Sequence, residues 1–171
     1  MNLGDIKNIH TLHSLPEVDR FNSLDIPDSI QTTRNLVSGW LQLQKSQPRL
    51  SYIFCINLKI SNEFIGLVAM NLREIKFRNA EIWIKIHPDY WNIGFGTEVI
   101  NKIVHFGFND LNLHRIEAGC ATGNTASGRM LEKAGLLREG TKRKILPVRG
   151  EWLDAYSYAI LEEDFIKTEP G

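Results

Sequence analysis

The sequence is poor in cysteine, carries no excess of either charge and contains no long apolar run. Its 171 residues include two cysteines, Cys55 and Cys120, each within an apolar, strand-like stretch. A disulfide framework or a zinc site needs more ligands at closer spacing, and the five histidines form no metal-binding pattern. Buried, reduced thiols and no metal are expected. Lysine plus arginine number 20, as do aspartate plus glutamate, so the formal net charge is zero. A protein held to nucleic acid by phosphate neutralisation needs a positive excess, so no nucleic-acid partner is expected. No stretch approaches the ~20 apolar residues of a membrane helix. The opening residues MNLGDIKNIH lack a basic region followed by an apolar one and do not read as a signal peptide. These absences predict a cytoplasmic protein without membrane contact.

What is present suits one compact domain over residues 1–171, long enough to bury a real core. Ile6, Ile9, Leu12 and Leu15 recur at helical spacing until Pro16, and a short turn follows through Val18 and Phe21. Pro27-Asp28 then opens a longer helix. Asp28 is the expected cap, and Ile30, Leu36, Val37, Trp40, Leu41 and Leu43 form an apolar face up to Pro48. From Ser51 the period changes. Residues 51–58 and 64–72 are rich in branched and aromatic residues and flank a turn-like Ile60-Ser61-Asn62-Glu63, which predicts a hairpin.

A third strand is expected over 80–86, a helix from about 97 to 110, a strand over 114–121 and a helix from about 125 to 134. Asn124 is placed to cap that last helix and Gly135 to end it. Strands over 136–144 and 152–161 complete the order. Strand-helix-strand units require parallel neighbours and hairpins antiparallel ones, so the sheet should be mixed. Arg138, Lys142, Arg143, Lys144 and Arg149 concentrate positive charge near the end, and read as a solvated strand-and-loop surface.

The most informative stretch is YWNIGFGTEVI, Tyr90 to Ile100, between a predicted strand and a predicted helix. Gly94 and Gly96 let the backbone turn sharply and approach a ligand. The helix start supplies unpaired N–H groups and about half a positive charge, which suits a pyrophosphate. No Gly-Lys-Ser/Thr follows, so this is not a nucleotide P-loop. G-x-G-x-x-G also fails, because Val99 stands where the third glycine would be.

With these residues in view the sequence resembles the GNAT superfamily, whose coenzyme A turn reads R/Q-x-x-G-x-G/A. Here the frame is Trp91-Asn92-Ile93-Gly94-Phe95-Gly96, so the glycines match and the first polar residue does not. A tryptophan there resembles the RimJ/RimL-like branch. So does the segment His114 to Lys144, with Asn124, Ser127, Arg129, Glu132, Lys133 and Gly135 on that branch's N-x-x-S-x-R-x-x-E-K-x-G pattern. Ala80 to Trp91 and Gly150 to Tyr156 match its strands, so the resemblance covers about residues 64 to 162.

It implies a single-domain α/β GNAT fold, a mixed, mostly antiparallel sheet flanked by helices. It also implies acetyl-CoA as cosubstrate and direct transfer of acetyl to an amine, with the N-terminal α-amine of a protein the leading acceptor. Two alternatives stay open: a small-molecule amine acceptor, and a coenzyme A-binding module without catalysis. Oligomeric state is open too, a homodimer being one option.

Carried over residue by residue, the resemblance implies that Ile84, Lys85 and Ile86 pair with the pantetheine arm. Trp91, Asn92, Ile93, Gly94, Phe95, Gly96 and Thr97 form the pyrophosphate turn, and Asn124 holds the arm while capping its helix. Glu81 is the candidate base, acting through water, and Ser127 the candidate group for the departing thiolate. There are departures. The chain starts almost at the first helix, where family members begin with a strand. Leu131 occupies the position of the tyrosine that many members use as acid. A glutamate base found in some ribosomal members has about Leu146 in its place.

Overall fold

The computed structural model describes residues 1–168. The chain opens with helices α1 (Ile6–His13), α2 (Pro16–Asp19) and α3 (Ile30–Leu43). Strands β1 (Ser51–Asn57), β2 (Phe64–Leu72) and β3 (Asn79–Ile86) follow, then α4 (Phe95–His105), β4 (Arg115–Ala121), α5 (Thr125–Lys133), β5 (Leu137–Val148), β6 (Glu151–Leu161) and α6 (Glu162–Thr168). The sheet has six strands in the order β1-β2-β3-β4-β6-β5. Only β3 and β4 pair in parallel; the other neighbours are antiparallel. The reason lies in the connections. Tight turns join β1 to β2 and β5 to β6, whereas the β3-to-β4 crossover carries α4 and so returns in the same direction.

Both sheet faces are covered. On one, Ala80, Ile82, Ile100, Ile103, Val104, Ile116, Leu131 and Leu136 form the larger core beneath α4 and α5. On the other, Ile6, Ile9, Leu12, Val37 and Leu67 form a second cluster under α1 and α3, joined by Trp40 and Trp83. β2 is therefore buried on both faces from Ile65 to Met70, which explains its continuous apolar run. A charged network ties the middle strands: Arg115 donates to Glu117 (2.8 Å) and Glu139 (2.7 Å), while Arg73 and Asn79 also donate to Glu117. Burial alone would raise the Glu117 carboxyl, yet hydrogen bonds from Arg115 and Asn79 and the charges of Arg115 and Arg73 hold it below the usual range.

Several boundaries differ from expectation. Ser29, not Asp28, caps α3, its Oγ accepting from the Thr32 N–H at 3.2 Å. Asp28 instead accepts from the Thr32 hydroxyl. α3 ends at Leu43 because turn bonds from Gln44, Lys45 and Ser46 close it before Pro48. α4 begins two residues earlier than expected, and its far end widens into a π-helical turn, Phe106–Asp110. β5 runs on to Val148, crossing two register shifts that a hydropathy pattern does not reveal. No strand precedes the first helix among the described residues, so β1 is the sheet edge on that side. Both cysteines are free; Cys120 is buried and Cys55 half-buried.

Candidate active site

The site begins where β3 and β4 part. Their parallel pairing runs from Asn79↔Arg115 to Ile82↔Ala118 and then stops. β3 continues four residues to Ile86, still paired to β2 on its other side. Backbone groups of alternate residues point to opposite edges. His87 donates to Ile65 of β2 (2.8 Å) and Arg73 donates to the Asn79 carbonyl, so odd-numbered residues face β2. Arg78 accepts from His114 and Arg115 on the β4 side, so even-numbered residues face the gap. Ile84 and Ile86 therefore present N–H and C=O groups to an unpaired edge. Lys85 does not: its main chain turns to β2, opposite Leu67, and only its side chain is left to act.

At the end of β3 the chain makes the glycine turn. Asn92 (φ 61°) and Gly94 (φ 97°) are both left-handed. Gly94 stands at the N-cap of α4, and Glu98 makes the first intrahelical bond, to the Gly94 carbonyl at 3.1 Å. The N–H groups from Gly94 to Thr97 are thus the orphan donors of this helix, with its positive end behind them. Ile93 and Gly94 are exposed, and Phe95, Gly96 and Thr97 half-exposed. Trp91 contributes through its ring. Although 42% exposed, its indole N–H donates to the Ile86 carbonyl at 2.7 Å, pinning the turn to the strand it leaves. That bond also removes one acceptor from the gap edge. Replacing Trp91 with Phe deletes the donor and should cost about 1 kcal/mol of stability. A several-fold weaker affinity for coenzyme A, read by calorimetry, is the expected companion; unchanged affinity would show the turn needs no such pin.

Gly96 brings the third element in. A Cβ there would meet Met130 Sδ of α5 at 2.6 Å and Ile86 Cδ1 at 3.7 Å. The start of α4 is therefore seated directly against α5. Asn124 caps α5, its Oδ1 accepting the Ser127 N–H at 3.2 Å. Ser127 neighbours the Cys120 thiol on the open part of β4; burial raises that thiol, and Ser127 only partly offsets it. Ile84, Ile86, the turn, Asn124 and Ser127 thus border one gap. Arg129 is exposed. Glu81 lies elsewhere: it is exposed at the closed junction, opposite Asn71 and Glu117. It shares a strand face with Trp83 and Lys85, at about 13 Å from Lys85 along the strand.

Residues on the α1 side escaped the sequence reading. His13 ends α1, is 6% exposed, and has no partner for Nε2. It borders a cleft of about 430 Å³ with Leu24, Asp25, Pro27, Asp28, Thr33 and Leu36. Burial, then the charges of Lys85 and His10, pushes its imidazole down to about 3. Asp19 of α2, buried, accepts two bonds from Arg149 of the β5–β6 turn, at 3.1 and 2.8 Å. The usable signal was the strand AEIWIKI, where Glu81, Trp83 and Lys85 occupy one face, and a lysine on a covered face needs a reason.

No group of three or more potential metal ligands occurs among the described residues, nor any helix long and apolar enough to cross a membrane. Residues 1–137 match the acetyltransferase (GNAT) domain family. The uncharacterized N-acetyltransferase YoaA of Bacillus subtilis is 32% identical over 158 residues, spanning 92% of this chain and 88% of that protein. A GNAT-family acetyltransferase from Bacillus anthracis superposes with a TM-score of 0.81 at 31% identity, covering 95% of this chain and 92% of the other. Spermidine N-acetyltransferase from Vibrio cholerae, solved with CoA and spermine, shares the fold with a TM-score of 0.85 at 23% identity, over 97% and 95% of the two chains. The chain belongs to the GNAT acetyltransferase family and is an acetyl-CoA-dependent N-acetyltransferase.

Proposed function

We propose that the acceptor is the α-amine at the N-terminus of a protein or peptide, as in the RimJ/RimL-like branch. The observation that carries this reading is the state of the carboxylates around the gap. Asp19 is held by Arg149, Glu117 by Arg115, Arg73 and Asn79, and Glu132 accepts from the Tyr158 hydroxyl. These three are engaged within the protein, leaving Asp25 and Asp28 of the His13 cleft as the acidic groups there. An α-amine has a pKa near ~7.7–8.0, against ~10.4 for a lysine-type amine, so a useful fraction is already neutral near pH 7. It asks only modest help from a base, and Glu81, on the β3 face shared with Trp83 and Lys85 but at the closed junction, gives it through a relay of waters.

The fit to acetyl-CoA rests on this chain's own groups. Four orphan N–H donors at the start of α4 suit a diphosphate, and the absence of a side chain at Gly96 leaves room beside Met130. The Ile84 and Ile86 edge suits an amide-bearing arm, as a strand suits a peptide. The cosubstrate supplies an acetyl thioester. Transfer forms the amine C–N bond and breaks the C–S bond; the amine proton leaves toward Glu81 through water, and Ser127, with Asn124 beside it, donates a hydrogen bond to the departing thiolate, which takes its proton from water.

A second reading, a small-molecule amine acceptor, has the spermidine enzyme's likeness in fold behind it. The two separate in one assay: acetyl-CoA turnover with peptides bearing free or blocked α-amines, run beside a panel of diamines and polyamines. Turnover restricted to free α-amines is the expected result; preferential acetylation of a polyamine would overturn the proposal.

A further inference from the structure

Lys85 has no role in the chemistry above, yet it is half-buried where the acceptor must enter. Its side chain leaves β3 on the face of Trp83, away from α4, in the segment past the last β3–β4 pair. His13 of α1 feels its charge, and Asp19 of α2 acts on it in turn. The opposite wall is the β5–β6 hairpin. β4 ends at Ala121, opposite Ala155, so residues 142–154 overhang the open end of the gap. From there Arg149 reaches back to Asp19 and to the Pro16 carbonyl, closing the hairpin against α2. Phe21, just past α2, lies against Gly123 at the β4–α5 turn. The acceptor side is thus enclosed by α1, α2, β3 and this hairpin.

Around Lys85 itself the pairings leave a cation, while Asp25 and Asp28 line the cleft farther out, beside His13. Arg149 consumes Asp19, and Asp154 accepts from the Lys144 backbone N–H. No carboxylate lies within 4 Å of the Lys85 ammonium among the described residues, and His13 is neutral. Lys142, Arg143 and Lys144, on the overhang, add cations to the rim, with Glu151 and Asp154 as the acids of the same segment.

We propose that Lys85 is a specificity-determining residue that admits amines carrying a carboxylate a few bonds from the reacting nitrogen, and that it turns polyamines away. This rests on the α-amine reading and narrows it: the preferred peptide begins with an acidic residue. A free acidic amino acid offers the same chemistry and is distinguished below. Burial lowers the Lys85 amine to about 8, with Asp19 pulling the other way, so the group is mostly cationic at neutral pH. A carboxylate docked against it gains a charge-assisted bond in a half-buried setting.

The test compares kcat/KM for peptides that differ only in Asp or Asn at position 1, with free aspartate and spermidine as further acceptors. In the wild type the Asp/Asn ratio should be at least about tenfold, equivalent to ~1.4 kcal/mol. Lys85→Met should bring the ratio near one, chiefly through KM, and Lys85→Arg should restore it. Lys85→Glu should invert it and raise spermidine turnover. Activity on the Asp peptide but not on free aspartate assigns the acceptor as a peptide; the reverse assigns it as an amino acid. An Asp/Asn ratio that is the same in wild type and Lys85→Met would overturn the role of Lys85 while leaving the α-amine reading standing. Wild-type turnover of spermidine in preference to every α-amine would overturn the α-amine reading itself.

Discussion

Replacing Gly94 and Gly96 together by valine should weaken coenzyme A binding by about 100-fold or more, ~2.7 kcal/mol, with the far-UV spectrum retained. The two sites contribute differently. At Gly94 a side chain has room, since nothing lies within 4 Å of its Cβ position. The φ of 97° is what excludes valine, because a β-branched residue there costs of order 1–3 kcal/mol and the turn must rearrange. Once it does, the orphan N–H groups of the first turn no longer converge. At Gly96 the backbone is helical and the obstacle is space: a Cβ would stand 2.6 Å from Met130 Sδ. Met130 is a flexible side chain, so Gly96→Val should shift α4 away from α5 rather than unfold it. Adding Met130→Ala to Gly96→Val should recover stability, whereas no neighbouring substitution should rescue Gly94→Val. Calorimetry with coenzyme A reads affinity and thermal melts read stability. Wild-type affinity in the double variant would mean that the main chain of this turn does not hold the diphosphate.

Acid should destabilise the protein through His13, with a size set by how far its imidazole is depressed. Folded, the group titrates at about 3; unfolded, near 6.5. Between these values the unfolded chain binds one more proton than the folded one, so stability falls as pH falls from 6.5 toward 3 and is complete above 6.5. The slope approaches ~1.4 kcal/mol per pH unit within that window. Carboxylates such as Glu117 and Glu139, held low by Arg115, add their own loss at lower pH. A difference measurement therefore isolates the histidine. Urea melts at pH 7, 6, 5 and 4 on the wild type and on His13→Phe should diverge, the variant losing much less between pH 6 and 4. Phenylalanine keeps an aromatic ring against Trp40, which His13 meets edge-on at 6.1 Å. Parallel curves would show that His13 takes up its proton without unfolding the chain.

Much of the fold was legible because its signals are local. The strand-to-helix alternation from Ser51 to Leu161 is written in period-2 and period-3.6 hydropathy, and the mixed sheet follows from which connections carry helices. The glycine turn was legible for the same reason: an orphan set of N–H groups and a left-handed Gly94 are properties of six consecutive residues. Boundaries were less so. Ser29 and Asp28 are adjacent and chemically equivalent as caps, and only the three-dimensional path selects between them. The continuation of β5 to Val148 depends on pairing with β6 across register shifts, which no single-strand pattern encodes.

By itself, then, the sequence determined the element order, the glycine turn at the start of α4 and the acyltransferase family, because each depends on neighbours along the chain. Tertiary structure decided which groups reach the gap. It turned the main chain of Lys85 toward β2 and its side chain toward α1, placed Glu81 at the closed junction, and brought Arg149 to Asp19 across 130 residues. Edge parity, strand splay and charge pairing are relations between distant segments. They exist only once the sheet has closed and excluded water from its faces, and that is when a charge without a partner becomes a statement about substrate.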